Sequence, residues 1–153
     1  MTGTQISNLL ATQDVIIATN DANRPLQHGD IFVFPLTNIT WGSGWSLTLS
    51  AHRDINIIGG AVIKNTATGN LVLRADSSGT GTGTVNLLPL ARVDFSKSTG
   101  TVSIYYNPRG EADKYRHANN YSCSGLCLSG GVLTQQSSQL TAYMRFRSFL
   151  RNH

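Results

Sequence analysis

The sequence predicts an all-β fold, a right-handed parallel β-helix, from three observations. The segment 46–51 (Ser-Leu-Thr-Leu-Ser-Ala) returns as 70–75 (Asn-Leu-Val-Leu-Arg-Ala). The short runs around these two segments alternate apolar and polar side chains, which places the apolar ones on one face of an extended chain. Helix formers are scarce, and position 111 is the one Glu of the chain. A repeat of about 24 residues that holds several short strands is typical of a solenoid.

The strands follow from β-branched and aromatic runs bounded by turn residues. We predict them at residues 14–19, 31–34, 36–41, 46–51, 54–58, 61–64, 70–75, 84–88, 91–95 and 100–106. No helix is expected before the C-terminal segment, and no cap is expected at either end of the repeat. An antiparallel sandwich is the alternative, since it also consists of short strands at similar spacing.

Stacking of equivalent apolar side chains would form the core of such a fold. We expect Leu71 to lie on Leu47 and Leu73 to lie on Leu49, one repeat apart. We expect the interior to include three further residues of the central repeat: Ile55, Ile57 and Val62.

The chain is predicted to have two parts, a β-helix repeat segment at 6–108 and a polar loop with a basic, partly disordered tail at 109–153. Weak strand patterns return at 131–134 and 140–144. The last residues, 145–153, would form a short amphipathic helix or no stable element.

Charge and hydropathy exclude some function classes. Charged residues are 13% of the chain, the net charge is +4, and the basic excess lies late in the sequence. Because the rest of the chain carries so little charge, this excess is weak support for nucleic-acid binding, and we expect no nucleic-acid partner. No apolar run approaches the roughly 20 residues that a membrane-spanning helix needs, so no membrane insertion is expected. The N-terminus also lacks the pattern of a signal peptide.

The carboxylates offer a weak case for an enzyme. Asp30 and Asp54 lie one repeat apart, but no second acidic residue flanks either one, and both stand where Asp commonly caps a turn. The glycine-rich run 79–83 lacks the Lys-Ser/Thr pair of a phosphate-binding loop. We therefore expect no catalytic residues and no enzymatic activity.

Cofactor and metal sites are not expected either. The histidines share no metal-ligand spacing: His28, His52, His117 and His153. Cys123 and Cys127 could close a small disulfide loop, whereas a zinc site would need two more ligands. Trp41 and Trp45 could stack on sugars, although a buried or turn position suits them better.

The order and spacing of several motifs resemble the shaft of filamentous haemagglutinin-type exoproteins, the large two-partner-secretion adhesins of Gram-negative bacteria. The motifs are Gly-Asp-Ile at 29–31, Trp-Ser-Leu-Thr-Leu-Ser-Ala at 45–51, Arg-Asp-Ile-Asn-Ile at 53–57, Gly-Asn-Leu-Val-Leu-Arg-Ala at 69–75 and Gly-Thr-Val-Ser-Ile-Tyr-Tyr-Asn-Pro at 100–108. The resemblance covers residues 6–108. It implies a right-handed parallel β-helix, export through an outer-membrane β-barrel transporter, and adhesion or haem acquisition. The chain is shorter than such exoproteins and lacks the Asn-Pro-Asn motifs of their secretion domain, so it is expected to be an internal fragment or a truncated gene product.

The expected function is therefore a non-enzymatic, structural or adhesive segment that is secreted or lies at the bacterial cell surface. Its expected partners are a cell-surface receptor or glycan and, for the full-length family member, the outer-membrane transporter. The alternative is a carbohydrate-binding or carbohydrate-active β-helical protein, which would need two or more carboxylates converging on one exposed face.

Overall fold

A computed structural model describes residues 1–20, 28–77, 83 and 85–106, and five strand segments between 121 and 143; side chains are described up to residue 104. The described elements are one helix and fifteen strands. They are α1 Gly3–Leu9, β1 Val15–Ala18, β2 Ile31–Val33, β3 Asn38–Trp41, β4 Leu47–Ser50, β5 Ile55–Ile57, β6 Val62–Asn65, β7 Leu71–Arg74, β8 Val85–Leu87, β9 Arg92–Phe95, β10 Thr101–Tyr106, β11 Tyr121–Cys123, β12 Leu128–Gly130, β13 Val132–Leu133, β14 Ser137–Ser138 and β15 Thr141–Tyr143.

The first twelve strands form three sheets in which each strand pairs with the third strand after it. Sheet A contains β1, β4, β7 and β10 in that order, sheet B contains β2, β5, β8 and β11, and sheet C contains β3, β6, β9 and β12. All these pairings are parallel. Among the described residues none of the three sheets is closed. The predicted all-β class is therefore confirmed, and the antiparallel sandwich is wrong for these strands.

The register of the sheets reproduces the sequence repeat. Leu47 pairs with Leu71 in sheet A, Ile31 with Ile55 in sheet B, and Asn38 with Val62 in sheet C, all at the spacing of the repeat. The next pairings in sheets B and C are more widely spaced along the chain, as in Ile55 with Val85. The additional residues lie in the connections between strands, so inward-facing residues of one strand still pair with inward-facing residues of the next.

The core consists of inward side chains that stand on one another from strand to strand. Leu47, Leu49, Leu71 and Leu73 are buried in sheet A, as predicted. Buried positions alternate with outward positions along β4 and β5, which is the pattern of a strand with one buried face. Each aliphatic side chain that is fully buried in this way contributes roughly 1.5–3 kcal/mol to the stability of the fold.

The prediction for Val62 is wrong. Val62 is only partly buried and faces outward, whereas Ile63 and Asn65 are the buried residues of β6. Three consecutive apolar residues precede Lys64, so alternation alone fits either phase. The buried partner in register is Ile39 of β3, which pairs with Ile63.

An N-terminal helix was not expected, and its presence corrects the prediction that no cap is present at either end. Thr2 is the N-cap of α1, and its hydroxyl accepts a hydrogen bond from the Gln5 N–H while the Gln5 side chain accepts one from the Thr2 N–H. The helix packs on β3, the terminal strand of sheet C, where the Thr40 N–H donates to Ser7 Oγ at 3.0 Å. Ile6 and Leu10 are buried against the core. Helix α1 therefore covers a sheet edge that would otherwise present unpaired backbone groups.

The weak strand patterns near the C-terminus are confirmed in part. β13 lies within the predicted run 131–134 and pairs in parallel with β10, and β15 lies within 140–144 and pairs antiparallel with β10. β15 also pairs antiparallel with β14. The loop at 107–120 and the residues from 144 onward lie outside the described residues, so the polar loop, the partly disordered tail and the C-terminal helix stay predictions.

Candidate functional surface

The two carboxylates that the sequence singled out are brought together in the connections between sheets A and B. Arg53 donates to both oxygens of Asp30, with Nε 2.9 Å from Oδ1 and Nη2 2.6 Å from Oδ2. The backbone N–H of Asp54 also donates to Asp30 Oδ1, at 3.0 Å. The Asp54 carboxylate lies 3.3 Å from Arg53 Nε. A guanidinium that bridges two carboxylates in this way fixes one turn to the next.

The electrostatics of Asp30 suit a structural ion pair better than a proton donor. Burial is the largest influence and would raise its pKa, but the hydrogen bonds from Arg53 and the Asp54 N–H, with the Arg53 charge, outweigh it and lower the pKa. The side chain is 12% exposed. A general acid or base works best with a pKa near the operating pH, and a lowered carboxyl pKa moves away from that range.

The two tryptophans lie close together in the chain, at the end of β3 and in the connection that follows it, and they differ in exposure. Trp41 is buried in β3, and its ring meets that of Phe95 edge to face at a centroid distance of 5.9 Å. Its indole N–H donates to the carbonyl of Trp45 at 2.7 Å. Trp45 itself is 44% exposed. Of the two positions expected, buried or in a turn, Trp41 takes the first and Trp45 lies in the connection between β3 and β4.

Asn65 is a buried residue of β6, which lies between β3 with Trp41 and β9 with Phe95. Every hydrogen-bond donor and acceptor of its side-chain amide has a partner. Its Nδ2 donates to the carbonyls of Trp41 and Ser43 at 3.3 and 3.2 Å. Its Oδ1 accepts from the Ala67 N–H at 2.8 Å and from Ser98 Oγ at 2.7 Å. A side-chain amide has two donors and two acceptor lone pairs, so this buried polar group is fully satisfied. Asn65 thereby joins three successive connections between sheets C and A.

The connections between sheets B and C are three copies of one turn. The residues are 34–37 (Phe-Pro-Leu-Thr), 58–61 (Ile-Gly-Gly-Ala) and 88–91 (Leu-Pro-Leu-Ala). In each, the fourth N–H donates to the first carbonyl, at 3.2, 3.0 and 3.0 Å. The third residue has positive φ in each copy: Leu36 63°, Gly60 85° and Leu90 69°. These are the features of a type II β-turn, which favours proline second and glycine third.

The copies lie side by side. The Gly60 N–H donates to the Leu90 carbonyl at 3.1 Å, and a Cβ placed on Gly60 would lie 3.4 Å from Leu36 Cδ2. A Cβ on Gly59 would collide with the carbonyl of Pro89. The middle copy therefore needs glycine for close approach, while the outer copies hold leucine in a backbone region that costs about 1–2 kcal/mol for a residue with a Cβ.

These turns carry an exposed apolar ridge, which we define as Phe34, Leu36, Leu88 and Leu90. Leu36 is 85% exposed, Leu90 76% and Phe34 63%. The sequence prediction missed the ridge, although the repeated Pro-Leu pairs at 35–36 and 89–90 signal the turns. Exposed apolar patches of this kind commonly mark interaction sites.

The outward faces of sheets B and C carry polar side chains in register with one another. On sheet B, Phe32, Asn56 and Asn86 form one outward row, and Asn86 Nδ2 donates to Asn56 Oδ1 at 2.9 Å. Phe32 stacks on Phe34 at a centroid distance of 6.1 Å.

On sheet C, Lys64 Nζ lies 3.8 Å from Asp94 Oδ2. The hydrogen bond from Ser96, with the charges of Lys64 and Arg92, lowers the Asp94 pKa against the effect of burial.

Other candidates have little support. No group of three or more His, Cys, Asp or Glu residues within the described part of the chain could hold a metal ion. A shallow depression of about 580 Å³ beside α1 is lined by Met1, Gln5, Asn8 and Leu9, none of which has a titratable side chain. His117, His153, Cys127 and residues 79–82 lie outside the described residues, and the side chain of Cys123 is not described. The predictions for them stay open.

Comparisons with known proteins do not assign the chain to a family. No family model matches it, and neither the curated proteins nor the solved structures contain a match. In the described part of the chain, no helix is long and apolar enough to cross a membrane.

Proposed function

We propose that the chain is a right-handed parallel β-helix that serves as a non-enzymatic, structural or adhesive segment of a filamentous haemagglutinin-like bacterial exoprotein. The observation that supports this most is the register: in each of three parallel sheets, every strand of the central repeat pairs with its equivalent in the next repeat. A stack of this kind places equivalent side chains in rows along its outside, so function lies in repeated surface.

The contacts of the charged residues support a non-enzymatic role. Asp30, Arg53 and Asp54 satisfy one another across neighbouring turns, and Lys64 lies close to Asp94. The first set joins neighbouring connections, and the second joins β6 to β9. In the part of the chain that the structure describes, few polar groups are left directed at a common point, whereas a catalytic site needs several within reach of one reacting atom. The proposed partners are a cell-surface receptor or glycan and, for a full-length exoprotein, an outer-membrane transporter. The proposed location is the cell surface or the extracellular medium.

A cell-binding assay tests the adhesive role. Fluorescent beads coated with the purified chain are counted on host epithelial cells against beads that carry a folded control protein of the same net charge. We expect saturable binding that exceeds the control and persists in moderately raised salt. Binding equal to that of the control would contradict adhesion, because it would reduce the effect to non-specific attraction of a basic protein. Product release from a panel of polysaccharides would contradict the non-enzymatic role.

Carbohydrate binding is a second candidate, favoured by one observation on sheet B. Phe32 offers an exposed aromatic ring in the same outward row as the amides of Asn56 and Asn86. A ring beside amide groups suits the apolar face and the hydroxyls of a sugar. Glycan-array binding that is lost in Phe32→Ala and kept in the control Ile16→Thr, a change at an exposed residue of sheet A, would support it. Equal array profiles for both variants and wild type would rule out this surface.

A further inference from the structure

The fold itself does not require the exposed apolar side chains of the ridge. Leu36 and Leu90 stand in the left-handed region, where glycine is favoured, and Gly60 occupies the equivalent position between them without strain. Both leucines are mainly exposed, so burial does not compensate for the strain. Strained residues at the surface are a reason to look for a contact outside the chain.

The shape of the ridge favours a deformable partner. The side chains project from β-turns, so the ridge is convex, and a rigid protein partner would need a matching groove. The ridge has only apolar side chains, which offer no donors or acceptors to a sugar. A lipid surface accepts a convex apolar feature without a preformed groove, because the acyl boundary adapts to its shape.

The charge around the ridge favours an anionic partner. Arg92 directly follows the third turn and is exposed, and Lys64 lies on the adjacent strand of sheet C. Asp94 is the acidic residue on the same face, and it lies against Lys64. The whole chain carries a net charge of +4. A second copy packed on the same ridge would bring like charges together, whereas an anionic headgroup layer would meet them favourably.

We propose that the ridge formed by Phe34, Leu36, Leu88 and Leu90 attaches this face of the protein to an anionic lipid surface, with the apolar side chains in the headgroup–acyl boundary and Arg92 at the headgroups. The attachment is interfacial and involves no spanning element. It does not depend on the proposed adhesive role, since it concerns a different partner.

Vesicle flotation tests the proposal directly. The full chain is mixed with vesicles of phosphatidylcholine containing phosphatidylglycerol, or with pure phosphatidylcholine vesicles, and the bound fraction is measured. We expect binding to the anionic vesicles that weakens several-fold on the neutral ones. The double variant Leu36→Gly/Leu90→Gly should bind at least about tenfold more weakly, since it removes two exposed aliphatic side chains.

The double glycine variant suits the backbone of both turns, so it leaves the fold intact and a loss of binding reports on the ridge. The matched control is Ile16→Thr, which removes an exposed apolar side chain from sheet A; it should bind as wild type does. The proposal is overturned if wild type fails to bind anionic vesicles, or if the double variant and wild type bind equally. It is also overturned if wild type is a dimer in solution and the double variant is a monomer, because the ridge would then be an interface between copies.

Discussion

Replacing Asn65 by alanine should be among the most destabilising polar substitutions in the chain. The change removes four hydrogen bonds and leaves the Ala67 N–H without its acceptor at 2.8 Å. The other partners keep a bond: the Trp41 and Ser43 carbonyls accept from the N–H groups of Thr66 and Gly69, and the single O–H of Ser98 can donate to the Ala67 carbonyl, 2.9 Å away, in place of Asn65.

The magnitude follows from these remaining contacts. The orphaned Ala67 N–H costs about 1–3 kcal/mol, reduced because Ala67 is only half-buried and water reaches it in part. The three bonds whose partners keep another contact contribute about 0.5 kcal/mol each, and the space left between Trp41 and Phe95 adds about 1 kcal/mol. With the Ala67 N–H reduced to about 0.5–1.5 kcal/mol, we expect a loss of about 3–4 kcal/mol in the free energy of unfolding.

Urea denaturation followed by circular dichroism measures this loss. With the slopes usual for small proteins, the midpoint should fall by about 1–2 M urea. Asn56→Ala is the matched control, because Asn56 lies on the outward face of sheet B and bonds to Asn86; it should change the free energy by less than about 1 kcal/mol. Equal midpoints for wild type and Asn65→Ala would refute the reasoning.

A second variant separates lost volume from lost donors. Asn65→Asp keeps the size of the side chain and the oxygen that accepts from Ala67, but it sets a carboxylate against the carbonyl oxygens of Trp41 and Ser43. It should destabilise the protein at neutral pH at least as much as Asn65→Ala does. If it were as stable as wild type, the two donor bonds would have no energetic role.

Three further predictions concern other parts of the fold. Leu36→Gly should raise the free energy of unfolding by about 0.5–1 kcal/mol in urea denaturation, because relief of the positive-φ strain exceeds the extra entropy of an unfolded glycine. Gly60→Leu should lower it by at least as much. Changes of the opposite sign would contradict the assignment of strain to these turns. The lowered pKa of Asp30 stabilises the fold above the ordinary carboxyl pKa of about 3.9, and this contribution is lost as pH falls through the folded pKa. Wild type should therefore exceed Asp30→Asn in stability at pH 7 by roughly 1–2 kcal/mol and by much less near pH 3, and a difference that does not change with pH would exclude the ion pair as its source. Thr2→Ala should lower the free energy of unfolding by about 0.5–1 kcal/mol, because it removes the N-cap of α1. The control is Thr4→Ala, a change at an exposed neighbour, which should be tolerated. Equal effects of the two changes in thermal denaturation would show that the cap does not stabilise the helix.

The strands were predictable because alternation and turn chemistry agree over most of the chain. Around 47–50 the two leucines alternate with polar residues, so the phase is unambiguous, and the sequence repeat carries the same phase over to 71–74. At 61–64 three apolar residues in a row leave the phase open, and only the neighbouring strands decide that Ile63 faces inward.

The features that the sequence did not predict depend on contacts between distant residues. Asn65 is polar, so pattern reasoning places it in a turn, but the carbonyls of the preceding connection make its burial favourable. Leucine at positive φ runs against backbone preference, so Leu36 and Leu90 were not expected in that conformation. The helix α1 did have a local signal, the Thr-x-x-Gln capping box at 2–5, which a search for longer helical periodicity overlooks.

The candidate surfaces were predictable to different degrees. The pairing of Asp30 with the repeat that contains Asp54 follows from the spacing of the repeat, but the choice of Arg53 as the bridging partner depends on the path of the turn. The apolar ridge arises from two separate turns, 34–37 and 88–91, and becomes visible only when the sheets bring them to either side of the turn 58–61.

The central claim, a parallel stack in which each strand pairs with the third one after it, is tested most directly by inter-strand nuclear Overhauser contacts in the isotopically labelled protein. The account predicts backbone contacts of parallel geometry between Leu49 and Leu73, between Ile55 and Val85, and between Ile63 and Val93. It predicts them together, one from each sheet, in the same folded chain. Close antiparallel Hα–Hα contacts between consecutive strands such as β4 and β5, with none between β4 and β7 or between β5 and β8, would contradict it.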